Sequence, residues 1–118
     1  MLAERMVESG PDFAEGWNFG PREEDARPVA WIVQRLVEQW GEGAAWRLDE
    51  GQHPHEASYL KLDCAKARAR LEWSPRWDLA AALEKIVAWH RAFNRGEDMR
   101  AFTLQQISQY TEYAGTIR

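Results

Sequence analysis

The sequence predicts a helix-rich α+β domain. Four or five amphipathic stretches at helical spacing stand against three short alternating ones, and the 118 residues suffice for one domain with a core but not two. Strands this short would make only a small sheet, so helix packing should supply most of the core.

The chain opens as helix, with Leu2, Met6 and Val7 at helical spacing. Glu8-Ser9-Gly10-Pro11-Asp12 should stop it, because Gly ends a helix and Pro cannot continue one, and a loop should follow. Gly16-Trp17-Asn18-Phe19-Gly20 alternates large rings with a polar residue and suggests a first strand, leading into an acidic turn at Arg22 to Asp25.

From Ala26 the apolar residues Val29, Ile32, Val33, Leu36, Val37 and Trp40 define an amphipathic helix. Asp25 is its expected N-cap, Pro28 suits its first turn, and Gly41 ends it. Two more strands are expected at Ala44 to Asp49 and Tyr59 to Leu62, joined by the polar loop Glu50 to Ala57. Asp63 should cap a short helix ending near Leu71, whose cations suit its carboxyl end. Trp73-Ser74-Pro75-Arg76-Trp77 breaks it. Asp78 should cap a helix with Leu79, Leu83, Ile86, Val87, His90 and Phe93 on one stripe, closed by Asn94-Arg95-Gly96. A last helix is expected from Thr103, where Thr103 and Gln106 fit a capping box.

Composition excludes several classes. Fifteen basic and 19 acidic residues give a net charge of -4, with no electrostatic footprint for nucleic acid. The single Cys64 offers no internal disulfide or thiol metal site. No apolar run approaches the ~20 residues of a membrane span, and the start lacks an export signal, so a reducing, cytoplasmic setting is expected. Seven Trp imply large buried anchors or ligand-groove walls, some facing a partner surface.

A dinucleotide fingerprint is absent: Gly41-Glu42-Gly43-Ala44-Ala45-Trp46 puts Trp at the third glycine. A Tyr-x-x-x-Lys proton relay is also missing, since Tyr59, Tyr110 and Tyr113 are followed at that spacing by Asp63, Ala114 and Ile117. The most suggestive chemistry lies at His53-Pro54-His55-Glu56. These residues can shape a loop, ligate a metal for which no fourth ligand is signposted, or donate to phosphate oxygens of an anionic ligand, and the last is the chemistry assigned to the imidazoles. From Tyr59 to Trp77, Lys61, Lys66, Arg68, Arg70 and Arg76 outnumber Asp63 and Glu72, five against two, a local balance of +3. That excess can steer a diphosphate or, the favoured reading, form a solvated helix face that compensates the dipole. His90 reads as a core or boundary residue.

Three segments carry a resemblance: Trp17-Asn18-Phe19-Gly20-Pro21, His53 to Asp63, and Leu71-Glu72-Trp73-Ser74-Pro75-Arg76-Trp77. With Asp98-Met99 and Gln105 to Tyr110, the chain resembles along nearly its whole length the C-terminal third of CDP-glucose 4,6-dehydratases, in the nucleotide-sugar branch of the extended short-chain dehydrogenase/reductases. The wider group shares the Asn-x-Gly strand, the Asp-capped helix and the Trp-x-Pro turn; the His-Pro-His-Glu-Ala-x-Tyr-Leu-Lys-Leu-Asp run narrows the match. The resemblance implies that residues 1–118 form one small substrate-binding lobe without the Rossmann domain, residues 1–20 being the trailing helix and strand of that missing part. It implies a parent NAD-dependent lyase of a deoxysugar pathway. NAD takes hydride from C4 of CDP-glucose, water leaves across C5 and C6, and hydride returns to C6. The product is CDP-4-keto-6-deoxyglucose.

The chain alone is expected to be inactive, to hold no catalytic group, metal or NAD, and to contact nucleotide sugar through His53, His55, Glu56 and Tyr59. Related dehydratases carry arginines at the positions of His53 and Tyr59, so imidazole and phenol replace fixed charge, and Glu72 stands where the family usually has Gly. Alternatives are a lobe for another nucleotide sugar, from a dehydratase or an epimerase, or a free-standing helical interaction module. Apolar surface around Trp17, Phe19 and the first helix is expected to favour self-association.

Overall fold

The computed structural model describes residues 1–49, 51 and 61–112. These gather into two compact units, one built from Met1–Gly20 with the described part of 53–75, the other from Pro21–Gln52 with Arg76–Arg118.

The first unit holds α1 (Leu2–Phe13) and α3 (Ala65–Leu71). The expected stop of α1 is there as a kink: Ser9 leaves helical torsions (φ -146, ψ 52), after which Gly10, Pro11, Asp12 and Phe13 resume the helix instead of forming a loop. Pro is tolerated because it falls in the first turn of the second piece, where its missing N–H has no partner to lose. α3 begins one residue later than expected, with Cys64 and not Asp63 at its N-cap position; Asp63 Oδ1 still accepts from Ala65 N at 2.8 Å. The helix buries Ala67 and Leu71 beside Cys64. It ends on Glu72, whose backbone is left-handed (φ 51, ψ 31), a conformation that costs an L-residue about 1 kcal/mol or more and that Gly adopts freely.

The second unit holds a 3-10 turn (Glu23–Asp25), α2 (Val29–Trp40), α4 (Leu79–Asn94) and α5 (Met99–Glu112), with α4 packed against both α2 and α5. α4 buries Leu83, Val87 and Ala92, while Ile86 and Phe93 on the predicted stripe remain exposed. Its N-cap is Asp78, as predicted, accepting from Ala81 N at 2.8 Å. Asp25 serves the same helix: its Oδ1 accepts from Leu79 N at 3.1 Å. It does not cap α2, which starts at Val29 behind Pro28. Gly41 (φ 64) ends α2 as expected, and Arg91 Nη2 donates to the carbonyl of Trp40, closing the end of α2 from α4.

Two expectations are corrected. Among the described residues there is no strand, so the α+β class reduces to its helical part. Residues 16–20 and 44–49 are irregular, as are Lys61 and Leu62; Tyr59 and Leu60 lie outside the described residues. Alternation makes a strand only where a second strand supplies ladder hydrogen bonds. Trp46 instead reaches α2 by its side chain, Nε1 donating to Gln34 Oε1 at 2.9 Å. The start of α5 also differs. Asp98 Oδ1 accepts from Arg100 N and Ala101 N (3.0 and 3.1 Å), so Thr103 lies inside the helix. Thr103 Oγ1 accepts from Trp89 Nε1 (3.0 Å) and Gln106 Nε2 donates to Lys85 O (2.9 Å). The two residues of the supposed capping box tie α5 to α4.

Two substitutions test these termini in urea denaturation. Glu72→Gly should stabilise the chain by about 0.5–1 kcal/mol by relieving the left-handed residue, after allowing for glycine's greater unfolded-state entropy. Asp98→Ala should destabilise it by about 1 kcal/mol through loss of the α5 cap.

Candidate functional site

The residues that sequence reading assigns to nucleotide sugar, His53, His55, Glu56 and Tyr59, lie outside the described residues. The structure describes the frame onto which that segment returns, from Lys61 through α3.

α3 is only seven residues long, too short to persist on its own. Side chains from the first unit hold it. Lys66 Nζ meets Glu15 Oε2 at 2.9 Å and Gly16 O at 2.7 Å. Arg70 pairs with Glu15 Oε1 and donates to Asp12 O at 2.7 Å. The Arg70 guanidinium lies 5.3 Å from the ring centres of Phe13 and Trp17, and Lys66 Nζ lies 5.2 Å from that of Trp17. The hydrogen bond from Lys66 holds the Glu15 carboxyl below its ordinary value, with the charges of Lys66 and Arg70 adding to it. The favoured reading of the cation-rich stretch, a solvated face that compensates the helix dipole, is corrected for these two residues: they clamp α3 to the end of α1. Arg76 is likewise engaged, donating to the carbonyls of Tyr110 and Thr111 near the carboxyl end of α5.

Opposite the root of α3 runs the 16–20 segment. Asn18 Nδ2 donates to Asp63 O at 3.2 Å. A Cβ on Gly20 would lie 3.2 Å from Cys64 Sγ and 3.5 Å from Leu62 Cβ, so only Gly permits this approach without displacing a neighbour. Phe19 meets Trp73 edge-on, ring centres 5.1 Å apart. Sequence reading named both segments but missed their contact, because a hydrogen bond spanning 45 positions leaves no local signal.

In the second unit a cleft of about 330 Å³ opens between α4 and α5, walled by Trp77, Lys85, Ile86, Trp89, His90 and Gln106. Two of its polar side chains are engaged: Lys85 Nζ bonds Gln109 Oε1 at 2.7 Å and Gln106 bonds the Lys85 carbonyl. His90 is exposed at its rim, edge-on to Trp89, which fits a boundary residue. Among the described residues no three of His, Cys, Asp or Glu gather where they could hold a metal ion, and no helix is long and apolar enough to cross a membrane.

The frame therefore offers anchoring and aromatic surface, and its ionic contacts are structural. Comparison with known proteins gives it context. Over 110 residues the chain is 53% identical to the CDP-glucose 4,6-dehydratase of Salmonella typhimurium. It matches that enzyme's C-terminal part. The aligned region takes in 93% of this chain and 31% of the Salmonella enzyme, so the chain spans about a third of its relative's length. No family model matches the chain. The resemblance read from the three segments of sequence is thus upheld by an alignment along nearly all of the chain.

The Glu15 clamp is testable by pH. A carboxyl held below its ordinary value of 4.5 stabilises the fold above that value, and the contribution is lost as the pH falls through the lowered value. Glu15→Gln should therefore melt lower than wild type at pH 7. The gap should close as the pH falls below 4.5 and through the lowered value, and thermal melts over an acid series measure it.

Proposed function

We propose that this chain works as the C-terminal lobe of an NAD-dependent, cytoplasmic CDP-glucose 4,6-dehydratase, lending contacts to the nucleotide sugar while the oxidation, elimination and reduction are performed elsewhere in the enzyme. The observation that carries this reading is the 53% identity over 110 residues to a protein of that activity.

In the proposed division of labour, the remainder of the enzyme binds NAD and supplies the acid/base groups. Hydride passes from C4 of the glucosyl unit to the nicotinamide, water leaves across C5 and C6, and hydride returns to C6. This chain supplies His53, His55, Glu56 and Tyr59. Imidazole N–H groups and a phenol O–H donate to diphosphate oxygens without the fixed charge of arginine. The sequence supports the division, because it contains neither a glycine-rich phosphate turn nor a Tyr-x-x-x-Lys pair. Exposed apolar side chains in the first unit, Met6, Val7 (88% exposed) and Phe19, support a surface that meets more protein.

Two measurements test the proposal. The purified chain given CDP-glucose and NAD should form no 4-keto product, and should restore turnover when mixed with the remaining two thirds of a CDP-glucose dehydratase; turnover by the chain alone overturns it. CDP should raise the melting temperature more than dTDP or GDP, with about 2.7 kcal/mol of added stability at a hundredfold excess over Kd. A larger effect of dTDP or GDP would reassign the substrate.

A further inference from the structure

We draw no further inference here: the strongest candidate, the apolar surface around Ile86 and His90 of α4 where a cleft walled by Leu36 and Trp40 adjoins one walled by Trp77 and Trp89, carries none because nothing in the structure shows what covers it.

Discussion

The contact of one carboxylate with two cations sets the terms for the first unit. Glu15 receives Lys66 and Arg70, which lie one turn apart on the same face of a helix that has only seven residues. A helix of that length is marginal by itself, because its nucleus costs more than so few hydrogen bonds return. The ion pairs are solvent-exposed and individually weak. They act together with the rings of Phe13 and Trp17 under the same cations and with the buried Cys64, Ala67 and Leu71. α3 exists through that combination.

In the second unit the organising element is α4, and the way it is held shows polar side chains replacing the missing sheet. Asp78 caps it locally and Asp25 caps it from a distant turn. Trp89 and the Lys85 carbonyl bind Thr103 and Gln106 of α5, and Arg91 closes the end of α2. With only Leu83, Val87 and Ala92 buried among the described residues of this unit, such bonds determine which helix faces meet. They also engage Lys85 and Gln106 in the cleft between α4 and α5, leaving its walls dominated by Trp77, Ile86 and Trp89, with His90 at the rim.

These two kinds of anchoring are compatible with the proposed function, in which this chain contributes contacts to the nucleotide sugar and the chemistry lies elsewhere. Among the described residues Lys66 and Arg70 are engaged in holding α3, and no cluster is arranged as a metal centre. The similarity to about a third of a dehydratase agrees with such a partition, in which stable attachment of a segment matters more to this part of the chain than a reactive constellation.

The sequence by itself determined α4 with its Asp78 cap, an interruption of α1 at Ser9 and the end of α2 at Gly41, and placed the start of α3 to within a residue, since caps, glycine stops and helical periodicity act within a few residues. It also carried the resemblance, through runs such as His53 to Asp63 that need no structure to be recognised. It misread the alternating segments as strands, because a ladder requires a neighbour that alternation cannot name. It gave Asp25 and Thr103 to the wrong helix ends for a similar reason: a hydroxyl or carboxylate with capping chemistry bonds whatever donor tertiary packing brings near. Only the tertiary structure decided that Asp25 serves α4, that Thr103 and Gln106 join α5 to α4, that Glu15 gathers Lys66 and Arg70, and that Asn18 meets Asp63. Each of these contacts crosses between elements far apart in the chain, where local pattern has no reach and spatial proximity alone chooses the partner.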